Sequence, residues 1–308
     1  MGPISKVYVN RFVGRQDKDI GVPYYDVSDF KGLTKEVFSF NNSKGIEIKY
    51  FYFYYKNYRT DKIVLFCPGL GPGHVSYLNE INTLAKQGYK VLTVDYTGCG
   101  ESGGGNLGSL NNPPRDVMEL LNLLNLKEEI VLVGHSLGGY TSLKVASLRR
   151  DIKKVVLLAP LFFIRPLIYN ASKSKFITHF VLRYERKVGG EYDKIDLVKF
   201  LKETDQDIFF IQSIDDPVVP YESSTKVAEE INNPHIKIKK YQARRHNPYM
   251  KEEAVQYMLE VFGKFEQLLA SKKIVTNEDR IDYFKDVSLQ RLTEQDLDLF
   301  EEIFAFID

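Results

Sequence analysis

Short apolar runs recur along the middle of the chain, and apolar residues return at helical spacing between them. The runs lie at residues 63–66, 91–94, 130–133, 155–158, 208–211 and 236–238. Most of them are apolar at consecutive positions, which is typical of strands buried on both faces of a parallel sheet. Helical spacing at 78–85 and 117–124 separates the first three runs. This strand–helix alternation predicts an α/β fold with a mostly parallel central sheet and flanking helices.

The two ends of the chain depart from this alternation. Residues 36–40 alternate between apolar and polar positions, and a turn-forming cluster at 41–45 separates them from a second strand pattern at 46–55. The pair predicts an N-terminal antiparallel hairpin. A long helical pattern at 252–269 closes the domain, and Asn247 and Pro248 are predicted to be its cap and first residue.

Three segments follow from these patterns. Residues 1–34 show little periodicity and stay unplaced, whereas residues 35–269 form the predicted α/β domain. Residues 270–308 form a helical C-terminal extension, whose last part, 274–308, carries ten acidic and three basic side chains. We interpret this extension as two helices docked on the domain, and the alternative is an acidic tail that binds a partner.

The charge balance gives no argument for nucleic acid or for an anionic membrane surface, because 42 basic residues face 41 acidic ones. The two cysteines, Cys67 and Cys99, lack metal-ligand spacing. We therefore expect no metal, no organic cofactor and a cytoplasmic, reducing location. The most apolar run, 155–168, is interrupted by two prolines and an arginine, so we expect no membrane span.

The pentapeptide Gly134-His135-Ser136-Leu137-Gly138 lies between an apolar run and a helical pattern. A strand that turns sharply into a helix strains its apex residue, and flanking glycines let neighbouring backbone pass close by. The apex side chain then points outward, at the positive end of the helix. Ser136 is therefore a candidate nucleophile, and the alternative is a glycine-rich turn with an incidental serine.

A serine hydroxyl is a weak nucleophile until a base accepts its proton and a third group orients that base. Asp215 and Asp216 follow the run at 208–211, and His246 follows the run at 236–238. The order Ser136, Asp216, His246 is the one expected for a G-x-S-x-G turn on an α/β sheet. We choose Asp216 because the next residue is a proline, which restricts Asp216 to extended conformations, so that Asp215 should point the other way.

Acyl transfer also needs hydrogen-bond donors for the oxyanion. The backbone N–H of Leu137 is one predicted donor, supplied by the serine turn itself. The second is assigned to the N–H of Leu70, in the loop after the run at 63–66, where three glycines permit close backbone approach.

These motifs together resemble the α/β-hydrolase superfamily and, within it, the serine esterase and acylglycerol-lipase-like branch. The segments that carry the resemblance are the elbow at 134–139, the oxyanion loop at 68–71, the D-x-x-G-x-G-x-S turn at 95–102, the acid segment at 216–220 and His246. The resemblance covers residues 35–269. It implies the α/β-hydrolase fold, with a small lid at about 161–206. Pro68 departs from the family pattern, since many members carry histidine there.

Two groups of residues are candidates for substrate contact. The lid is predicted to roof the site with apolar side chains and to receive an apolar acyl or aryl group, through Phe162, Phe163, Leu167, Phe176 and Phe180. The alternative is ordinary packing of lid helices onto the sheet. Arg244 and Arg245 flank the base and would favour a substrate with a carboxylate or phosphate, unless they are solvated surface charges.

The predicted function is hydrolysis of a small-molecule carboxylic ester through an acyl-enzyme, with a thioester as the less favoured alternative substrate. Ser136 attacks, His246 moves the proton and Asp216 orients His246. The alternatives are a serine peptidase of the same fold that acts on small peptides, and a non-catalytic ligand-binding member of the fold.

Overall fold

The structure is a computed structural model that describes all 308 residues. One eight-stranded sheet runs through the molecule in the order β1-β2-β4-β3-β5-β6-β7-β8. Its strands are β1 Thr34–Asn41, β2 Glu47–Tyr54, β3 Lys62–Cys67, β4 Lys90–Val94, β5 Glu129–His135, β6 Lys154–Leu158, β7 Asp207–Ser213 and β8 Ile236–Tyr241. β2 pairs antiparallel with β1 and with β4, and every other pairing is parallel. The predicted hairpin and mostly parallel sheet are confirmed.

Helices cover both faces of this sheet. They are α1 Pro3–Arg11, α2 Leu78–Lys86, α3 Asn112–Leu124, α4 Leu137–Leu148, α5 Ile164–Ser172, α6 Lys175–Gly189, α7 Leu197–Glu203, α8 Thr225–Ile231, α9 Glu252–Ala270, α10 Asn277–Phe284, α11 Leu289–Leu292 and α12 Leu297–Ile307. In β3, Ile63 and Leu65 pack into one apolar cluster while Val64 and Phe66 pack into another. The consecutive apolar runs therefore arise from burial on both faces. No helix is both long and apolar enough to cross a membrane.

The N-terminal segment, unplaced by its sequence pattern, docks on the body of the protein. The hydroxyl of Tyr8 in α1 donates to the carboxylate of Glu185 in α6 at 2.8 Å. The guanidinium of Arg15 donates to the carbonyls of Ser102 and Gly104, at 2.8 and 2.9 Å. α1 is thereby held against α6, and the following residues against the turn after β4.

The excursion at 161–206 contains three helices with different positions. α7 packs against α4 and α8 at the flank of the sheet. α5 and α6 pack on one another, and α1 packs on α6. α5, α6 and α1 therefore form one packed group of helices, which we call the roof.

The helix predicted to begin at Asn247 and Pro248 begins instead at Glu252, with Lys251 as its N-cap. The preceding residues run alongside 294–296, because the N–H of Lys251 donates to Glu294 and the N–H of Asp296 donates to Tyr249. This pairing with a distant segment keeps residues 249–251 out of the helix.

The C-terminal extension forms three helices rather than the predicted two. α12 buries one whole face, formed by Leu299, Phe300, Ile303, Phe304 and Ile307, in the same cluster as Val156 and Phe209 of the sheet. α12 therefore completes the core of the α/β domain, and residue 270 does not separate two independent units.

Candidate active site

Ser136 stands at the junction of β5 and α4 in a strained backbone conformation, with φ 54° and ψ −115°. A side chain on Gly138 would place its Cβ 1.8 Å from the carbonyl oxygen of Cys67, and one on Gly134 would place it 2.3 Å from that of Gly138. Both glycines are therefore required by close packing of backbone on backbone. The N–H of Ser136 donates to Leu158 at 2.9 Å, which fixes the turn to β6.

The structure brings Ser136, His246 and Asp216 into one hydrogen-bonded row. His246 Nε2 lies 2.9 Å from Ser136 Oγ, and His246 Nδ1 lies 2.8 Å from Asp216 Oδ2. A carboxylate only accepts hydrogen bonds, so Nδ1 carries the proton and Nε2 is free to accept one from the serine. The row therefore has the polarity that proton removal from Ser136 requires.

Asp216 and Asp215 have different environments although they are neighbours. The Asp216 carboxylate is fully buried, and its Oδ1 accepts the N–H groups of Val218 and Val219 at 2.8 and 2.9 Å. Asp215 is exposed and accepts hydrogen bonds from the Ser213 hydroxyl and the N–H of Arg245. Only Asp216 lies against His246.

The two predicted oxyanion donors lie beside the serine. Leu70 and Leu137 line the same cavity as Ser136. Leu137 is the first residue of α4, so its N–H has no acceptor within the helix. The N–H of Leu70 makes no hydrogen bond within the protein. Both amides are available to a ligand, and their role as oxyanion donors stays a prediction.

A buried hydrogen-bond chain connects the loop that carries Leu70 to the loop that carries His246. His135 Nε2 lies 2.8 Å from the carbonyl oxygen of His246, so this nitrogen must donate. The other nitrogen, Nδ1, must then accept from the hydroxyl of Tyr77 at 2.8 Å. The Tyr77 oxygen in turn accepts the N–H of Gly69 at 3.1 Å.

The ionisation state of His135 agrees with these directions. Burial, together with the nearby His246, lowers the pKa of His135 from 6.5 to about 3. Burial also raises the pKa of the Tyr77 hydroxyl. Both groups are neutral around pH 7, and each has a fixed partner. These hydrogen bonds were not predicted from the sequence, although His135 lies within the serine pentapeptide.

The cavity in front of Ser136 has a volume of about 470 Å³ and a mainly apolar lining. Besides Ser136, Leu70 and Leu137, its walls are formed by Phe12, Leu110, Leu161, Leu167, Asn170, Ala171, Lys173, Pro217, Val218 and Val219. Leu167 is the one predicted roof residue among them. Pro217, Val218 and Val219 are the three residues after Asp216, so their position was within reach of the sequence argument.

The prediction that Phe162, Phe163, Phe176 and Phe180 line the site is wrong. Phe162 is buried in the core, and Phe163 packs edge-to-face on it, facing partly outward. Phe176 and Phe180 pack on each other on the outer side of α6, and Phe176 is 66% exposed. Helical spacing shows that α6 has an apolar face, but it does not show which way that face turns.

Arg244 has a structural position instead of a substrate contact. Its guanidinium donates to Asp296 at 2.6 Å and to the carbonyl of Pro248 at 3.1 Å, and it stacks over the ring of Tyr241. Through these contacts Arg244 holds the His246 loop on the N-terminus of α12. The prediction that Arg244 binds a carboxylate or phosphate of the substrate is therefore wrong. Arg245 is partly exposed and does not line the Ser136 cavity.

The D-x-x-G-x-G-x-S turn at 95–102 stabilises the fold and does not contribute to the site. The carboxylate of Asp95 is buried and accepts the N–H groups of His74 and Glu101, each at 2.8 Å. The His74 ring lies against the same carboxylate, with Nδ1 at 3.0 Å from Oδ1. His74 therefore packs the loop and does not face Ser136. No group of three or more histidine, cysteine or acidic side chains is arranged to hold a metal ion.

Two sequence comparisons find similarity over part of the chain. The sequence model of the family described as serine aminopeptidase, S33, matches residues 58–197, a stretch that includes Ser136 but neither Asp216 nor His246. An epoxide hydrolase from Caballeronia sordidicola is 32% identical over 95 residues. That stretch is 30% of this chain and 29% of the relative, so the chain spans less than a third of the length of the curated relative it matches.

Solved structures share the fold over most of the chain. Esterase Pf2001 from Pyrococcus furiosus has a TM-score of 0.57 at 18% identity, covering 85% of this chain and 96% of its own. Est1E from Butyrivibrio proteoclasticus, solved with ferulic acid bound, has a TM-score of 0.56 at 19% identity, covering 75% and 98%. Alpha/beta hydrolase domain-containing protein 10 from mouse has a TM-score of 0.53 at 20% identity, covering 77% and 99%.

Proposed function

We propose that this chain, a member of the α/β-hydrolase superfamily, is a serine hydrolase that cleaves carboxylic esters through an acyl-enzyme intermediate. The observation that carries the proposal is the row of hydrogen bonds from Ser136 Oγ through His246 to the buried Asp216, which opens onto an apolar cavity. A non-catalytic binding protein has no use for such a row.

The proposed reaction has two steps. Ser136 Oγ attacks the ester carbonyl while His246 Nε2 takes its proton, and the N–H groups of Leu70 and Leu137 stabilise the oxyanion. The C–O bond to the alcohol breaks as His246 returns the proton to the leaving oxygen. Water, deprotonated by the same histidine, then attacks the acyl-serine. The acyl C–Oγ bond breaks as the histidine returns the proton to Ser136 Oγ, and the carboxylic acid leaves and ionises.

The lining of the cavity favours an ester over a peptide. An aminopeptidase has to hold the ammonium group of its substrate, for which an acidic side chain is the natural partner. The cavity contains no aspartate or glutamate, and its one charged residue is Lys173. Its apolar walls suit an acyl or aryl group, which gains about 0.8 kcal/mol for each buried methylene.

The identity of the nucleophile argues against epoxide opening, although the curated relative is an epoxide hydrolase. A serine that opened an epoxide would remain bound to the product as an ether. Water does not cleave an ether under these conditions, so the enzyme would stop after one turnover. A serine nucleophile therefore suits acyl transfer, in which the covalent intermediate is itself an ester.

A fluorophosphonate probe and a set of nitrophenyl esters test the proposal. The native chain should label and should hydrolyse the esters, whereas Ser136→Ala should lose labelling and at least about 10³-fold in kcat. Ser147→Ala, in the same helix, is the matched control and should behave like the native chain. Faster cleavage of aminoacyl nitroanilides than of esters would favour the peptidase alternative, and unchanged ester hydrolysis by Ser136→Ala would disprove the nucleophile.

A further inference from the structure

A second groove lies beside the Ser136 cavity, between α1 and the roof helices α5 and α6. It has a volume of about 360 Å³, and its lining includes Ile4, Val7, Phe12, Ile168, Ala171 and Ile177. Two of these residues, Phe12 and Ala171, also line the Ser136 cavity. The two spaces are therefore neighbours that share a boundary.

The chemistry of the groove suits a hydrocarbon. Arg11 and Ser172 are the polar exceptions in a lining that is otherwise apolar or aromatic. The hydroxyl of Tyr8 is already bonded to Glu185, so its ring is the part available to a ligand. An occupant with many hydrogen-bonding groups would lose its contacts with water there and find few replacements.

The wall formed by α1 is firmly attached. The buried Glu185 accepts hydrogen bonds from the hydroxyls of Tyr8 and Ser109, at 2.8 and 2.7 Å, and from the N–H of Leu110 at 3.2 Å. These donors come from α1 and from the segment before α3, so one carboxylate joins both to α6. The Tyr8 ring also stacks on Phe12, with centroids 5.6 Å apart. Phe12 is thereby held at the boundary between the two spaces.

We propose that the acyl chain of the substrate runs from Ser136 past Phe12 and Ala171 into the α1 groove, so that the enzyme acts on long-chain acyl esters. This inference rests on the proposed function, since it needs an acyl group bound to Ser136. Because Phe12 and Ala171 line both spaces, an acyl chain bound at Ser136 that extends past these two residues would enter the groove. Ala171, one of the two residues at this boundary, has a small side chain and takes up little of the space between the cavities.

The length of the acyl chain should then govern the rate. Each methylene that enters apolar surroundings contributes up to about fourfold in kcat/KM, as its transfer free energy converts to a ratio. The increase should continue through chains long enough to pass Phe12. A site limited to the Ser136 cavity would instead reach its maximum with short acyl groups.

The test compares nitrophenyl esters from acetate to palmitate, below their micelle concentrations, on the native chain and two variants. Ala171→Trp should close the passage and lower the laurate-to-butyrate ratio of kcat/KM at least tenfold. Ile177→Glu, which places a charge at the α6 side of the groove, should lower the same ratio. Val275→Trp, at a valine that is 73% exposed in the C-terminal extension, is the control and should leave the ratio unchanged.

The outcomes separate the two proposals. If the native chain cleaves acetate and butyrate but not laurate, or if neither variant changes the laurate-to-butyrate ratio, the groove proposal is overturned while the esterase proposal stands. If no ester of any length is cleaved, the esterase proposal fails and the groove loses its role with it. A third outcome is that Ile177→Glu changes the oligomeric state, measured as the mass of the assembly in solution, and leaves the laurate-to-butyrate ratio unchanged. That result would assign the groove to contact between copies of the chain and overturn the acyl proposal.

Discussion

Two regions around the Ser136 cavity are built in different ways. We call the region that carries Ser136, His246 and Asp216 the floor, and the packed helices α1, α5 and α6 are the roof. On the floor, Ser136, His246 and Asp216 are held by hydrogen bonds between elements of the central sheet. On the roof, α1, α5 and α6 are held by apolar packing and by one buried carboxylate, and they leave Phe176 mostly exposed. Hydrogen-bonded geometry tolerates little displacement, whereas an apolar wall can change shape. Floor substitutions should therefore change the rate for every substrate, and roof substitutions should change which substrate is preferred.

The largest expected effect is on the floor, at the acid that orients the base. Asp216→Asn should lower kcat by about 10⁴-fold, because an amide favours the wrong tautomer of His246. The loss should be the same for acetate and laurate esters. Asp215→Asn is the control and should change kcat little, since Asp215 bonds only Ser213 and the N–H of Arg245. Equal losses in the two variants would contradict the assignment.

Two phenylalanines test the same comparison through stability. Phe162→Ala should lower the free energy of unfolding by about 3–5 kcal/mol, because a buried ring leaves a cavity in the core. Phe176→Ala, on the outer side of the roof, should stay within about 0.5 kcal/mol of the native value. Urea denaturation of both variants measures the difference. A large loss at Phe176 would show that the roof is packed as tightly as the core.

The pH dependence of stability should reveal two buried groups behind the floor with opposite effects. Burial raises the pKa of Glu80 to about 7. Its contribution to the free energy of unfolding is therefore greatest below the pKa that it has in the unfolded chain, and this contribution is lost as pH rises to 7. The lowered pKa of His135, about 3, has the reverse effect, so stability is lost as pH falls below 6.5. Glu80→Gln should remove the first contribution, about 3 kcal/mol between pH 4.5 and 7 from a shift of this size.

Denaturation of the native chain and of Glu80→Gln at several pH values checks this prediction. The native curve should be comparatively flat between pH 5 and 7, where the two contributions oppose each other. The variant should lose more stability on acidification, because only His135 then remains. Parallel curves for the two proteins would contradict the role of Glu80.

The smallest of these effects should come from the hydrogen bonds through Tyr77 and His135 that join the Leu70 loop to the His246 loop. Tyr77→Phe leaves the N–H of Gly69 and Nδ1 of His135 without partners, which should cost about 1–3 kcal/mol of stability. We expect kcat to fall about tenfold for all esters, because Leu70 follows Gly69 directly and its amide would be less well placed. A loss limited to long acyl chains would assign Tyr77 to the roof instead.

The sequence predicted the floor better than the roof for a physical reason. Ser136, Asp216 and His246 each follow a strand, and parallel strands bring their carboxyl ends to one edge of the sheet. Each residue could therefore be placed from its local pattern. The contact of Tyr8 with Glu185 joins residues 177 positions apart, and neither local sequence contains a signal for the other. Phe12 consequently remained unplaced.

The errors have a common origin. The apolar residues of the excursion at 161–206 suggested a lining for the site. Which of them face the cavity depends on how α6 packs against α1, which the sequence did not place. Arg244 next to the base suggested an anion site, but its charge is used by Asp296, which lies 52 positions later. Long-range pairing of this kind, between residues 249–251 and 294–296, also kept α9 from beginning at Asn247 as predicted. The sequence thus predicted the strands and the positions of Ser136, Asp216 and His246 after them, and missed the packing between distant segments.

The position of α12 has a consequence for how the protein is made. This helix packs on β6, and the ring of its Phe306 lies 5.4 Å from the ring of Phe209 in β7. The ribosome synthesises α12 after all eight strands. During translation the sheet can pair before that face is covered. The nascent chain therefore passes through a stage with an exposed apolar sheet face, a state prone to aggregation and suited to chaperone binding.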